Sequence, residues 1–371
     1  MSFDQKLTAF LNRAMDEYRI PGFDLCVFHE HKEVFRYKAG YRDLENKLPI
    51  TENTLYNIYS NTKVITCVAA MQLYEQGYFL LEDPLSRFFP EFENMRVRMP
   101  DGSVENAKNP ITIRDLFRMT AGFGDGNDYQ EMGVQFYTET GGACPLIELP
   151  KYLAKMPLLF EPGTKYLYGI SHEMLAALIV KITGKSFSEC LRENIFLPLG
   201  MKNTAFTLEE CSSKDLANQY VFSGSELAPE NKGPANFLIP PILKESASGG
   251  LISSVDDYMA FQEALCKENV LLHKRTTDLM RLDQLKGSMR EGYGYTNLGM
   301  GYGLGVRTVI NQAECGAPVG FGPYGWGGAA GTYGSIDPEN KLTIFYAQSY
   351  FGPNDLRLHH SLRNVIYTCR F

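Results

Sequence analysis

A serine and a lysine stand three positions apart, at Ser60 and Lys63. The apolar residues around them predict a helix over 62–77, so the serine lies just before its first turn and the two side chains share one face. A serine hydroxyl is a poor nucleophile until a base removes its proton, and a lysine can do this only when burial or a positive field lowers its pKa. The helix N-terminus supplies such a field and stabilises an incoming oxyanion. The spacing therefore indicates nucleophilic catalysis, although an S-x-x-K tetrad alone occurs by chance in many chains.

A sheet and several helices are predicted to surround this tetrad. Apolar residues at helical spacing predict an N-terminal helix over 7–18, and two β-rich runs at 23–29 and 34–41 predict an antiparallel hairpin. Further helices are predicted over 112–119, 149–155, 172–183, 186–195 and 253–266, followed by strands over 303–310, 331–336 and 342–348 and a final helix over 358–369. Sheet at both ends with helices between them predicts an α-helical domain inserted into an α/β domain.

The composition excludes several classes of protein. The 371 residues are 44% hydrophobic and 21% charged, which is typical of a globular chain. A net charge of -7 without a basic cluster gives little attraction to phosphate, so nucleic acid is not an expected partner. The longest apolar runs, 64–71 and 174–180, are shorter than the ~18 residues of a membrane span. Because the first residues do not form a signal peptide, a cytoplasmic location is expected, and a removed leader stays open.

The sequence predicts no metal site and no cofactor. The eight cysteines include no C-x-x-C pair and do not cluster with histidines, so separate reduced thiols are expected. Four histidines have no further potential zinc ligands near them, so ordinary surface or capping roles are expected: His29, His31, His359 and His360. His172 is assigned a structural hydrogen bond. No phosphate-binding loop, G-x-S-x-G elbow or dinucleotide fingerprint is complete.

Several further short motifs are distributed along nearly the whole chain. The stretch TLYNIYSNTK at 54–63 is followed by EQG at 75–77, LEDPL at 81–85, ITIRDL at 111–116, PGT at 162–164, LGM at 199–201 and GGL at 249–251. Together they resemble the signature blocks of serine β-lactamase-like and penicillin-binding proteins. The resemblance implies a mixed α/β (α+β) fold of the β-lactamase/transpeptidase type, in which an antiparallel sheet is flanked by N- and C-terminal helices and an all-helical domain is inserted. It implies one domain at 1–58 and 250–371, a mainly helical domain at 59–249, and an active site at their interface.

The resemblance also implies a second base. The segment PGTKYLY at 162–168 places Tyr168 at the tyrosine of the family's Y-x-N motif, where the phenol acts as a base or proton relay between nucleophile and leaving group. The third position of that motif is Ile170, where β-lactamases and transpeptidases have Asn. The amide contact of that Asn to the substrate is therefore expected to be missing. The resemblance still implies that Ile170 is a substrate-binding residue, as are Phe123, Trp326, Gly327 and Gly328.

A third motif is similar to the Lys-Thr-Gly or His-x-Gly signature of the family, and here it reads Trp326-Gly327-Gly328. In the resemblance, the backbone N–H of Ala329 joins that of Ser60 as the oxyanion hole, and the glycines let the strand approach the acyl group closely. The tryptophan replaces the cation that would hold a β-lactam or peptide carboxylate, and W-G-G at this place is similar to family VIII carboxylesterases. From family order and loop composition, the segments 121–126, with Phe123, and 292–302 are expected to shape the acyl pocket.

These residues predict a serine hydrolase that forms an acyl-enzyme, namely a carboxylesterase or related acyltransferase acting on small esters. One alternative is a class C-like β-lactamase or D-amino-acid peptidase, which needs a carboxylate anchor that the sequence does not reveal. Another is a catalytically weak binding or scaffold protein of the same fold. The expected partner is a small-molecule ester or β-lactam-like substrate. The oligomeric state stays open.

Overall fold

The computed structural model describes residues 2–141, 145–222, 227–229, 243, 245–295, 298–353 and 355–369. Its strands are β1 (Gly22–His29), β2 (Lys32–Asp43), β3 (Leu48–Pro49), β4 (Leu55–Asn57), β5 (Arg96–Arg98), β6 (Val104–Asn106), β7 (Tyr220–Phe222), β8 (Leu227–Pro229), β9 (Ile252–Ser254), β10 (Met300–Tyr302), β11 (Arg307–Val309), β12 (Tyr324–Gly325), β13 (Tyr333–Asp337), β14 (Leu342–Gln348) and β15 (Tyr350–Phe351). Its α-helices are α1 (Phe3–Tyr18), α2 (Thr62–Glu75), α3 (Ile113–Phe117), α4 (Gln130–Thr140), α5 (Leu149–Leu153), α6 (Ser171–Thr183), α7 (Phe187–Leu191), α8 (Leu197–Leu199), α9 (Val255–Cys266), α10 (Lys274–Arg281), α11 (Gln312–Cys315) and α12 (Asp355–Tyr367).

Eight strands form one antiparallel sheet in the order β10-β11-β12-β13-β14-β1-β2-β3. The predicted hairpin is the pair β1 and β2, and β1 also pairs with β14, with Leu25 opposite Tyr346. The N-terminal strand therefore lies beside strands from the end of the chain. Both β1 and β14 are almost entirely buried, because helices cover the sheet on both faces.

The terminal helices cover one face of this sheet and α9 covers the other. On the first face, apolar residues of α1 and α12, including Leu7, Leu11 and Leu362, share a buried cluster with Leu25 of β1. On the second face, the Tyr258 ring of α9 stacks on Phe345 of β14 with 4.3 Å between ring centroids. This is the predicted mixed α/β fold with an antiparallel sheet between N- and C-terminal helices.

The helices between the two sheet-forming parts of the chain pack around α2. This helix is buried along almost its whole length and packs directly against α6, which explains why its sequence shows no polar face. The segment 59–249 also contains the strand pair β5–β6 and the strands β7 and β8. The division into two domains stays a prediction. Every helix in the described ranges is too short or too polar to cross a membrane.

Several predicted elements differ in the structure. The strand predicted over 303–310 is shortened to β11, because Gly305, in the bend before it, has a φ of 81° and lies so close to Cys67 that a Cβ atom would come within 2.2 Å of its sulfur. The helix predicted over 186–195 consists of α7 and a π-helical turn, Arg192–Phe196, which leads into α8. Helices α4 and α10 were not predicted, since α4 has a weak apolar period and α10 is a short, mostly polar segment with only two apolar residues.

Candidate active site

Ser60 lies in a sharp turn directly before α2. The turn is a 3₁₀ segment, Tyr59–Asn61, and Tyr59 has a φ of 47°, a left-handed conformation that is costly for a residue with a side chain. The Tyr59 hydroxyl donates a hydrogen bond to the Gln219 side chain, and the side-chain amide of Asn61 donates to Thr332 Oγ1 at 2.8 Å. These contacts hold the turn, so that Ser60 is presented at the wall of a cavity.

Lys63 points back from the first turn of α2 toward Ser60. Its Nζ lies 3.3 Å from Ser60 Oγ, and it donates a hydrogen bond to the Ser248 carbonyl at 2.6 Å. The same nitrogen is 4.6 Å from the centroid of the Tyr168 ring, and the Lys63 side chain is buried. The structure therefore brings the three predicted residues Ser60, Lys63 and Tyr168 together, although they come from two distant parts of the chain.

Trp326 contacts Tyr168 directly. Its indole N–H donates a hydrogen bond to the Tyr168 hydroxyl oxygen at 3.1 Å, and the two rings stack with 5.7 Å between centroids and 17° between planes. A buried tyrosine, Tyr302, packs edge-on against the indole with 5.3 Å between ring centroids. Trp326 is therefore both a stacked ring against Tyr168 and a hydrogen-bond donor to its phenol, and the hydrogen bond was not predicted.

The strand end that follows Trp326 approaches Ser60 closely. A Cβ atom at Gly328 would lie 2.4 Å from the Ile58 carbonyl oxygen, so only glycine fits this position. The chain then turns tightly, since the Gly331 amide donates to the Gly328 carbonyl at 3.0 Å. Ala329 lies inside this turn and lines the same cavity as Ser60. The role of its backbone N–H in an oxyanion hole stays a prediction.

The cavity beside Ser60 has a volume of about 490 Å³ and mixed walls. The lining includes the aromatic side chains of Tyr168, Tyr295 and Trp326, and it also includes Arg307 and the beginning of α12. The lining residues are Ser60, Tyr166, Tyr168, Gly292, Tyr293, Gly294, Tyr295, Arg307, Trp326, Gly327, Gly328, Ala329, Asp355, Leu356, His359 and His360. The Tyr-rich segment that begins at Gly292 therefore contributes to the pocket, as expected.

Two predicted substrate-binding residues do not reach this cavity. Ile170 is 1% exposed at the N-terminal end of α6, and Phe123 is 2% exposed and packs edge-on against Phe92 at 6.0 Å. These apolar side chains are buried in the helical core, and a role of either residue in substrate binding stays a prediction. Each residue is close in sequence to a predicted site segment, but closeness in sequence does not determine where its side chain points.

Two functional candidates were not predicted from the sequence. Arg307 lies at the cavity between the rings of Tyr295 and Tyr333, at 5.7 and 5.5 Å, and makes no ion pair within the described residues. Glu173 is a buried carboxylate whose hydrogen bonds lead to the loop behind Lys63. The only available signal for Glu173 was its place in the first turn of a helix, which usually indicates no more than a favourable helix-dipole contact.

The histidine predictions have mixed outcomes. His359 is buried, with its Nε2 3.0 Å from the Gly331 carbonyl, so the surface or capping role predicted for it is wrong. His172 Nε2 lies 3.1 Å from the Phe117 carbonyl, and burial, together with Lys63, lowers its pKa to about 3, so it is a neutral structural residue as predicted. Contrary to the prediction, His31 lies near two other side chains of metal-ligating types. Its Nδ1 is 2.9 Å from Glu263 Oε2, and Cys266 is nearby. Thr343 donates to the other oxygen of Glu263, so both oxygens are paired without an ion.

The cysteines in the described ranges are free thiols, and most are buried. Burial raises the pKa of the Cys26 and Cys266 thiols to about 12. Such thiols are poor nucleophiles near neutral pH. Cys144 lies outside the described residues.

Comparisons with known proteins agree with this geometry. A family model described as Beta-lactamase matches residues 7–366. Esterase EstB of Burkholderia gladioli is 28% identical over 92% of this chain and 89% of its own, and a beta-lactamase of Escherichia coli (strain K12) is 23% identical over 93% and 88%. The solved structure of EstCE1, a hydrolase with promiscuous acyltransferase activity, has a TM-score of 0.81 and 24% identity and covers 98% of both chains. The chain belongs to the beta-lactamase family and is a serine hydrolase of the serine β-lactamase and penicillin-binding protein superfamily.

Proposed function

We propose that this serine hydrolase is a carboxylesterase that acts on small esters through an acyl-enzyme at Ser60, and that water or a second alcohol accepts the acyl group. The observation that supports this most strongly is the contact of Trp326 with Tyr168 at the place where the family has a cation. The similarity to an esterase and to a hydrolase with acyltransferase activity supports the same reading.

In the proposed acylation step, Ser60 Oγ forms a bond to the ester carbonyl carbon. Its proton passes to the basic pair Lys63 and Tyr168, which lie together at the nucleophile. The carbonyl oxygen becomes an oxyanion that accepts hydrogen bonds from the backbone N–H groups of Ser60 and Ala329. The carbon–oxygen bond to the alcohol then breaks, and the leaving oxygen takes a proton from Tyr168.

Deacylation reverses these roles. A water molecule or an alcohol loses its proton to the pair Lys63 and Tyr168 and attacks the acyl carbonyl. The same two N–H groups stabilise the second oxyanion, and Ser60 leaves with a returned proton. The hydrogen bond from Trp326 to the Tyr168 oxygen orients the phenol and stabilises any negative charge that develops on it in either step.

The aromatic wall supports esters over β-lactams as substrates. A penicillin or a D-alanyl peptide carries a carboxylate, and its transfer into the cavity must be offset by a charge-assisted hydrogen bond of ~1.5 to 3 kcal/mol. The indole of Trp326 already donates its N–H to Tyr168 and has no charge to offer. A short neutral ester has no carboxylate and packs against the aromatic rings.

A second candidate function is supported by Arg307. A class C-like β-lactamase or a D-amino-acid peptidase needs an anchor for a carboxylate, and this guanidinium lines the cavity without an ion pair in the described part of the chain. An arginine binds a carboxylate with two parallel hydrogen bonds. This candidate therefore has an anchor at a place other than the third motif.

Parallel kinetics with esters and β-lactams test the proposal. We expect kcat/KM for p-nitrophenyl butyrate to exceed that for nitrocefin and penicillins by at least ~10-fold, because one lost charge-assisted bond corresponds to about that factor. Ser60→Ala should abolish all of these reactions. Faster Ser60-dependent hydrolysis of nitrocefin would select the second candidate. Absence of any turnover would select the catalytically weak binding protein.

A further inference from the structure

A buried carboxylate behind the nucleophile is not used by the proposed chemistry. Glu173 lies in the first turn of α6, five positions after Tyr168, and is 1% exposed. Its oxygens accept hydrogen bonds from Ser246 Oγ at 2.7 Å, from the Ala247 amide at 2.8 Å and from the Ser248 amide at 3.0 Å. We call these three residues the 246–248 loop.

The 246–248 loop is also the structure that holds Lys63. The Ser248 carbonyl accepts a hydrogen bond from Lys63 Nζ at 2.6 Å, and the Ala247 carbonyl accepts one from Thr66 on the next turn of α2 at 2.8 Å. A continuous series of hydrogen bonds therefore runs from Glu173 through the loop backbone to the amine. The amine in turn lies 3.3 Å from Ser60 Oγ.

The chemistry of these contacts is specific to a carboxylate. Two backbone amides and one hydroxyl converge on it, and an acid anion accepts all three, whereas an amide side chain would oppose one N–H with its own NH₂ group. Burial raises the pKa of Glu173, and the three donors oppose that rise because they favour the ionised form. A carboxyl group that is buried with three hydrogen-bond donors is costly to place there, which indicates a role beyond packing.

We propose that Glu173 is a positioning residue for Lys63. It fixes the 246–248 loop so that the Ser248 carbonyl takes one N–H of the amine, which directs the lone pair of the neutral amine toward the Ser60 hydroxyl. The proposal rests on the proposed function, because it assigns Lys63 the role of base in acylation. Glu173 itself does not line the substrate cavity.

The chain offers a matched control on the same loop. Glu245 precedes Ser246 and accepts hydrogen bonds from the Phe187 amide, the Ser188 amide and the Ser188 hydroxyl, at 3.1, 3.3 and 2.8 Å. It therefore anchors the loop to the start of α7 with three donors of the same kinds. Its hydrogen bonds lead away from Lys63.

The test compares Glu173→Gln with Glu245→Gln in the full chain, using single-turnover acylation by p-nitrophenyl butyrate from pH 5 to 10. We expect Glu173→Gln to lower the maximal acylation rate by about 10- to 100-fold, the loss expected for a hydrogen bond to a charged group, while substrate binding changes less than about 3-fold. The midpoint of its pH–rate profile should move to lower pH, because a fixed carbonyl and a nearby anion both favour the protonated amine. Glu245→Gln should keep the wild-type rate and midpoint.

Two milder variants keep the test valid if Glu173→Gln does not fold. Glu173→Asp and Ser246→Ala each disturb the network partly and should show a smaller fall in rate with a midpoint shift in the same direction. Equal losses of acylation rate in Glu173→Gln and Glu245→Gln, without a shift of the pH–rate midpoint, would overturn the inference. A wild-type pH–rate profile for Glu173→Gln, or for both milder variants, would overturn it as well. Labelling of wild-type Ser60 by a fluorophosphonate separates this outcome from failure of the proposed function.

Discussion

The hydrogen bond from Trp326 to Tyr168 gives the sharpest prediction about catalysis. Trp326→Phe keeps an aromatic ring beside the phenol and removes the indole N–H that lies 3.1 Å from its oxygen, together with one of the two fused rings. A hydrogen bond between neutral groups contributes ~0.5 to 1.5 kcal/mol, and one to a charged group ~1.5 to 3 kcal/mol. If negative charge develops on the Tyr168 oxygen in the transition state, kcat should fall by about 10- to 150-fold.

The assay is steady-state hydrolysis of p-nitrophenyl butyrate by the two proteins. The matched control is Tyr302→Phe, which removes a buried hydroxyl that has no hydrogen-bond partner within the described residues and leaves its ring against Trp326. We expect the control to change kcat less than about 2-fold, as is usual for loss of an unpaired group. An unchanged kcat in Trp326→Phe would refute the assigned role, because the indole would then serve only as an apolar wall.

Three further predictions concern the base, the cavity cation and pH stability. Lys63→Ala and Tyr168→Phe should each lower kcat by ~10² or more in the same assay, and near-normal acylation in either would remove that residue from the mechanism. Arg307→Gln should lower kcat/KM for an ester with a terminal carboxylate ~10-fold more than it lowers kcat/KM for a neutral ester of equal length. Equal effects on the two esters would exclude Arg307 as a carboxylate anchor. Burial raises the pKa of Asp355 from 3.8 to about 7. The folded protein therefore binds this proton more tightly than the unfolded chain, and the free energy of unfolding should fall as pH rises from about 4 to about 7. Asp355→Asn should therefore raise Tm more at pH 8 than at pH 5, and an equal effect at both would contradict the assignment.

Local features of the site were predictable from the sequence. The spacing of Ser60 and Lys63 on a helix fixes their mutual geometry, and the structure has the two atoms 3.3 Å apart. The order of motifs along the chain places Tyr168 and Trp326 at the same site through resemblance to a known family. The terminal helices and the first hairpin were also predicted, because their apolar periods are regular.

Features that depend on distant parts of the chain were not predictable. The contact between Ser248 and Lys63 joins residues 185 positions apart, and the network of Glu173 depends on how the 246–248 loop passes between α2 and α6. Arg307 reaches the cavity only because β11 pairs beside β12 in the sheet. The left-handed turn at Tyr59 likewise has no local signal, since its side chain would ordinarily disfavour that conformation.

The central claim is that Ser60 is the nucleophile that carries the acyl group. Its most direct test is to treat the protein with a fluorophosphonate, measure the intact mass and locate the adduct by peptide mapping. The account predicts one adduct per chain on Ser60, with no labelling of Ser60→Ala even though that variant is folded. An adduct on Ser248 or on any other serine, with Ser60 unmodified, would contradict it.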